Sequence, residues 1–288
     1  MSEPSTARVA VPARALVVGL GVTGRAVATA LRDHGSTVIA TDDRLGPLGP
    51  GAAADAGATW IEPPTDWDQA VLGFDGIIPS PGIPERHPLF AAAAARAVPI
   101  RTEFDLAAAW DDRPTVVITG TNGKTSGTTL VTAMLIASGI AAVPAGNVEV
   151  PLVSAIEDPD VEVFVVEASS FRLTHATQHR PTAATWLNFA PDHLDVHLDL
   201  HGYEAAKARI WVNHDRGGIA IANAEDDVVM RWAPPGDRTE TFAIAREADW
   251  QVIDDRLVGP DGMDLVSCAE LTRDLPHDRA NALAAAAT

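Results

Sequence analysis

Two glycine-rich stretches have the residue types and spacing that hold phosphate. One is Gly120-Thr121-Asn122-Gly123-Lys124-Thr125-Ser126, which follows the apolar, β-branched run Thr115 to Thr119. Successive backbone N–H groups in such a turn make a concave anion site. A lysine there neutralises the β- and γ-phosphates of a nucleoside triphosphate, and the hydroxyl that follows it can bind Mg²⁺. Lys124 and Thr125 stand at those positions. The common phosphate-loop spacing would put glycine at position 118; the chain has Ile118, so this loop is a variant form.

The other stretch, Gly19-Leu20-Gly21-Val22-Thr23-Gly24, has G-x-G-x-x-G spacing. The first glycine permits a tight turn, the second lets a diphosphate approach the backbone, and the third lets helix and strand pack closely. An acid at the end of the next strand would bind ribose hydroxyls, and Asp42 and Asp43 follow the run Ser36 to Thr41. The pattern implies a nucleotide diphosphate with a ribose. It does not specify nicotinamide, and UDP satisfies it equally well. Glu167 ends another apolar run, Val161 to Glu167, and a strand-end acid in an α/β fold is a candidate functional group. His193, His197 and His201 are spaced as a zinc-binding helix face would be, but Pro191 and Asp192 argue for a loop there.

These groups need strands and helices to hold them. Ala15 to Leu20 predicts a strand, Gly24 to His34 a helix and Ser36 to Thr41 a second strand, which together open a parallel, doubly wound sheet. A further strand is predicted near Gly76 to Pro79, a helix from Pro88 to Ala97 and a strand over Val98 to Thr102. The polar break Asp111-Asp-Arg-Pro114 marks a domain boundary, giving domains 1–111 and 112–288. After it a second βα pattern begins, with a helix from Lys124 to Ser138, strands over Val161 to Glu167, Ala183 to Asn188 and Gly218 to Asn223, and a helix from Tyr203 to Val212. Short strands follow between Thr239 and Ser267. The expected fold is α/β: a Rossmann-like parallel-sheet domain, then a central phosphate-loop α/β ATPase-type domain. The chain stops at Thr288 inside an alanine-rich helix without a cap, which reads as a truncation.

Composition narrows the function classes. A formal net charge of -18 argues against nonspecific binding to nucleic acid or to an anionic membrane. The single cysteine, Cys268, permits no internal disulfide and fits a reducing, cytoplasmic setting. No signal-peptide pattern and no apolar run of the ~20 residues that a membrane helix needs is visible.

Gly-Thr-Asn-Gly-Lys-Thr is the loop form of the Mur ligases and the folylpolyglutamate synthases. From about Arg14 onward the sequence resembles the D-glutamate-adding branch of the Mur ligase family. Besides the two glycine stretches, the match rests on Asp42-Asp43-Arg44, Ser80-Pro81-Gly82-Ile83, Gly146-Asn147-Val148, Glu167-Ala-Ser-Ser-Phe171, the Asn188 to Asp195 run, Tyr203-Glu-Ala-Ala-Lys-Ala-Arg-Ile210 and, in part, His277 to Asn281. The departures are Arg172 for the usual glutamine, Glu149 for a frequent glycine, and Asp278 for a frequent asparagine.

The resemblance implies ATP-dependent joining of D-glutamate to UDP-N-acetylmuramoyl-L-alanine through an acyl phosphate, in peptidoglycan precursor synthesis. It implies ATP held by Gly120 to Ser126 and Asn281. Val22, Thr23, Asp42, Asp43, Arg44, Ser80, Pro81, Gly82 and Ser169 would contact the UDP-linked substrate. Lys124, Asn147, His193 and Lys207 would act in catalysis. Mg²⁺ is implied at two sites, one through Thr125 and Glu167, the other through His193 and a carbamylated Lys207. A monomer is expected, and because the family's C-terminal domain falls outside the 288 residues, the chain alone is expected to show no turnover. Three alternatives stand beside this: a family member adding a different amino acid, a non-catalytic nucleotide-binding fragment, and a NAD-dependent oxidoreductase read from the first glycine turn alone.

Overall fold

The computed structural model describes residues 10–147, 150–192 and 196–288. The chain forms two compact units. The first comprises the described residues up to Asp112 together with His175–His179; the second comprises Arg113–Thr174 and Arg180–Thr288.

The first unit runs β1 (Arg14–Val18), α1 (Val22–Asp33), β2 (Thr37–Thr41), α2 (Gly49–Asp55), β3 (Thr59–Trp60), α3 (Trp67–Ala70), β4 (Gly76–Pro79), α4 (Pro88–Ala95) and α5 (Glu103–Trp110). Its four strands are parallel, in the order β3-β2-β1-β4. β1 is buried on both faces, which is why it reads as a continuous apolar run and not as an alternation. Helix α1 turns Val27, Ala28 and Leu31 onto the sheet, and burying the two larger side chains stabilises by ~1.5–3 kcal/mol each.

One expectation differs here. Val98 to Thr102 forms no strand; Ile100 makes only an isolated bridge to Ile77, because the chain caps the next helix almost at once. Helix α5 follows directly, opened by a capping box in which the Thr102 hydroxyl accepts from Asp105 N–H and the Asp105 carboxylate accepts from Thr102 N–H. Asp105 is fully buried, and its other oxygen accepts the N–H groups of Thr177 (2.9 Å) and Gln178 (2.6 Å). That carboxylate ties the short segment His175–His179 to the first unit, and the ring contacts of His175 with Phe90 and of His179 with Phe104 add to it.

The second unit runs β5 (Thr115–Thr119), α6 (Lys124–Ala137), β6 (Ala142–Gly146), α7 (Leu152–Ala155), β7 (Val163–Glu167), α8 (Ser170–Leu173), β8 (Ala183–Trp186), α9 (Leu200–Ala208), β9 (Ile219–Asn223), α10 (Asp227–Trp232), β10 (Thr239–Ala243), β11 (Trp250–Ile253), β12 (Arg256–Gly259), β13 (Met263–Ser267) and α11 (Pro276–Ala287). They build a nine-stranded sheet in the order β13-β12-β11-β10-β9-β8-β5-β7-β6. It is parallel from β6 to β11 and antiparallel through β12 and β13. β5 is an interior strand between β8 and β7 and is buried along most of its length, so the phosphate-type loop leaves the sheet from a covered strand. Its core gathers Val116, Ile118, Val131, Val165, Leu187, Ile221 and Leu283. Trp186 and Trp211 are core residues with ring centroids 5.5 Å apart.

Candidate functional site

Each unit presents one candidate site at the carboxyl ends of its parallel strands, the edge where open α/β sheets bind ligands. In the first unit, β1 leads into Gly19, whose φ is +91°, and α1 starts at Val22. A Cβ on Gly24 would lie 1.8 Å from the Gly19 carbonyl oxygen, so only glycine lets α1 pack this close to the turn. No side chain caps α1, and its first N–H groups face the turn. Val22 is 66% exposed at that tip and Thr23 is buried beneath it.

The Asp42-Asp43-Arg44 turn is tied to the glycine turn. Asp42 is buried and its two oxygens accept Leu20 N–H (2.6 Å) and Arg44 N–H (2.8 Å). Its carboxylate therefore sets the shape of both turns. Asp43 and Arg44 are exposed beside it. Ser80 donates its N–H to Val18 O, and its Cβ sits where a Cβ on Gly19 would fall, 2.8 Å away. Pro81 and Gly82 follow in the tight turn closed by Ile83 N–H on Ser80 O. The three sequence-predicted stretches of this unit thus meet around one turn.

In the second unit, Gly120 to Gly123 links β5 to α6. Gly123 has φ +83°, and a Cβ there would come within 2.8 Å of Asn281 Oδ1. Asn281, on α11, therefore lies against the loop, as its sequence position predicts only by resemblance. Thr121 N–H donates to Asn188 O, and Asn122 and Asn188 exchange two hydrogen bonds, 2.9 and 3.0 Å. The Thr121 hydroxyl meets Tyr203 OH at 3.3 Å and accepts Ala190 N–H at 2.9 Å.

Two lysine amino groups converge on one carbonyl. Lys124 Nζ donates to Gly120 O and Thr121 O, both at 2.9 Å, and Lys207 Nζ donates to Gly120 O at 2.8 Å. Burial lowers the pKa of Lys124, against the opposing pull of Glu167 and Asp192. Lys207 is 1% exposed, and burial, with repulsion from Lys124, pushes its pKa down to about 7. The Tyr203 ring lies 4.9 Å from its nitrogen. Burial in turn raises the Tyr203 phenol.

Glu167 ends β7 and is 2% exposed. One oxygen accepts the Thr125 hydroxyl at 2.6 Å, and the other accepts Asn147 Nδ2 at 2.9 Å. Thr125 and Ser126 also line a cleft of about 370 Å³ along α6 with Thr129, Leu130 and Ala133. Ser169 caps α8, accepting Arg172 N–H. His193 lies outside the described residues, as do Val148 and Glu149. His197 is buried, with Nε2 2.9 Å from Ser170 Oγ and its ring against Phe171 and Tyr203, whereas His201 lies by Trp232. Those surroundings are unlike a shared zinc face, and among the described residues no three His, Cys, Asp or Glu side chains cluster as metal ligands.

Sequence reasoning left Asn188 and Tyr203 out of the site, although both head motif runs. No local pattern marks either residue, because both reach the loop after β5 through contacts made far along the chain.

The pattern of the Mur ligase middle domain matches residues 118–288, well over half the chain, and that of the Mur ligase MurD-like N-terminal domain matches residues 13–102. The chain belongs to the Mur ligase family. Among curated Mur ligases, the UDP-N-acetylmuramoylalanine–D-glutamate ligase of Frankia casuarinae is 39% identical over 94% of this chain and 59% of its own length. The ligase of the same name from Desulfosudis oleivorans is 36% identical over 90% and 56% respectively. The chain thus spans little more than half the length of these relatives. Among solved structures, the UDP-N-acetylmuramate:L-alanyl-γ-D-glutamyl-meso-diaminopimelate ligase of Neisseria meningitides covers 95% of this chain and 92% of its own, with a TM-score of 0.56 at 19% identity. The type C pseudomurein peptide ligase of Methanothermus fervidus aligns over 95% of this chain and 66% of its own, with a TM-score of 0.52 at 18% identity. These structural likenesses establish the Mur ligase fold.

Proposed function

We propose that this Mur ligase chain binds ATP on the Gly120–Ser126 loop and a UDP-linked muramoyl-alanine on the Gly19–Gly24 turn, as part of an enzyme that joins D-glutamate to UDP-N-acetylmuramoyl-L-alanine. The observation that carries the reading is the convergence of Lys124, Lys207, Thr125, Glu167 and Asn147 on one loop end. The names of the two curated relatives described above support the choice of D-glutamate.

A carboxylate is a poor electrophile. Transfer of a phosphoryl group from ATP to the alanyl carboxylate gives an acyl phosphate and ADP. The amine of D-glutamate then attacks the acyl carbon, the C–O bond to phosphate breaks, and an amide and inorganic phosphate result. Positioning and charge neutralisation supply most of such catalysis. Lys124 would turn from the loop carbonyls to the β- and γ-phosphates. Loop N–H groups would hold the same oxygens, and Asn281 would lie towards the base.

The donor set fits Mg²⁺. Thr125 and Glu167 offer hard oxygens side by side, and Asn147 orients the carboxylate through its second oxygen. Bound there, Mg²⁺ would neutralise phosphate charge. A second site is proposed at Lys207 with His193. The Lys207 side chain is buried against the loop, and its depressed basicity leaves a substantial share of free amine at neutral pH. The lone pair of the neutral amine can add to the carbon of CO₂ with loss of one N–H proton, which gives an oxygen-bearing carbamate anion.

The test is ADP release by the full-length protein with UDP-N-acetylmuramoyl-L-alanine and a panel of amino acids. D-glutamate should be the productive acceptor, and turnover with L-alanine or a diamino acid in its place would overturn the assignment.

A further inference from the structure

We propose that His87 is a positioning residue, which fixes the Asp43 carboxylate to receive a donor group of the nucleoside. The inference rests on reading the Gly19–Gly24 turn as the nucleoside diphosphate site.

His87 is the N-cap of α4, and its Nδ1 accepts the N–H of Leu89 at 3.2 Å. An Nδ1 that accepts is unprotonated, so the neutral ring carries its hydrogen on Nε2. That nitrogen lies 2.9 Å from Asp43 Oδ2 and donates to it. The ring cannot turn away, because Trp67 meets it edge-on with centroids 4.9 Å apart and its side chain is only 12% exposed. The cap thus fixes the tautomer, the tautomer fixes the donor, and the donor fixes Asp43.

Asp43 is placed to use this. Its neighbour Asp42 spends both oxygens on Leu20 N–H and Arg44 N–H, the first of these inside the glycine turn itself. Asp42 therefore builds the turn, and Asp43, with a side chain 42% exposed, is the acid left at its edge. His87 engages Oδ2, and Oδ1 meets no protein donor among the described residues. A carboxylate only accepts, so its partner on a nucleoside diphosphate is a ribose hydroxyl or an imide N–H, never the phosphates. A solvated aspartate loses rotamer freedom on binding; one already held loses less, which strengthens binding.

Two substitutions separate the roles. In His87→Gln the amide nitrogen reaches the place of Nε2, keeping the donor to Asp43 and losing the cap. In His87→Asn the amide oxygen takes the place of Nδ1, keeping the cap and losing the donor. UDP is titrated calorimetrically into the 288-residue chain and the melting temperature is measured in parallel. Affinity should follow glutamine: near wild type for His87→Gln and about tenfold weaker for His87→Asn. Stability should follow asparagine, with His87→Gln melting lower. In an Asp43→Ala background, His87→Asn should cause no further loss of affinity. Affinity that tracks stability across the variants, or His87→Asn binding UDP like wild type, overturns the role of His87. Failure of the wild-type chain to bind UDP overturns instead the reading of the turn on which it rests.

Discussion

The second site depends on two lysines that share one carbonyl. Lys207 has an ordinary pKa of 10.5 that burial lowers to about 7. Between those values the unfolded chain holds a proton that the folded chain has lost, so folding stability must rise with pH across that window and be lowest below about 7. Urea unfolding at pH 7, 8 and 9 should show the rise, and Lys207→Met should flatten it. A wild-type curve as flat as the variant's would mean that Lys207 keeps its charge when buried. Glu167 makes a second prediction. In Glu167→Gln the amide keeps the shape but loses the anion that faces Thr125 and Asn147, so ATP affinity should drop at least tenfold with Mg²⁺ present and change little without it. Calorimetry in the two conditions distinguishes a metal-holding carboxylate from a merely structural one. Much of this site was legible from residue types, since Lys124, Thr125 and Glu167 follow from spacing and strand position. Tyr203 was not, because its role comes from a bond to Thr121 far along the chain, and no local pattern encodes a contact between α9 and the loop after β5.

Among the secondary-structure elements, the strands and long helices of the core follow from apolar runs and glycine stops. The helix before residue 111 did not. Val98 to Thr102 has the residue types of a strand, but Thr102 and Asp105 make a capping box, and capping chemistry overrides a short β-branched run. Asp105 then carries weight beyond its own helix, since it also accepts the N–H groups of Thr177 and Gln178. Asp105→Asn puts an amide where a buried carboxylate accepts from every side, so at least one N–H should lose its partner at a cost of about 2–4 kcal/mol. Chemical denaturation would show this as a fall in midpoint, and hydrogen exchange at Thr177 and Gln178 should speed up. Unchanged exchange there would mean the segment is held by other contacts. Gly24→Ala tests the other turn: with the Gly19 carbonyl 1.8 Å from the new Cβ, α1 must shift, and UDP binding should be lost before the fold is.

Taken whole, the molecule is strongly acidic, with a formal net charge of -18, and its proposed ligands are anions. Long-range repulsion should slow their approach, while Lys124 and the loop N–H groups act only at close range. Raising the ionic strength from ~0.01 to ~0.15 M shortens the screening length from ~30 to ~8 Å. The association rate of a fluorescent ATP analogue, followed by stopped flow, should therefore rise with salt; a rate that falls would show that local positive charge governs the encounter. Among the described residues no helix is long and apolar enough to cross a membrane. The family itself was readable from the order of its motifs, because a phosphate loop, a strand-end glutamate and a lysine on a later helix meet only when the sheet folds as it does. The central claim is that the loop around Lys124 grips a nucleoside triphosphate, and ATP titration of the wild-type chain and of Lys124→Met, with Mg²⁺ present, tests it most directly. Saturable binding that the substitution abolishes is the predicted result; equal binding by both proteins, or none by the wild type, would contradict it.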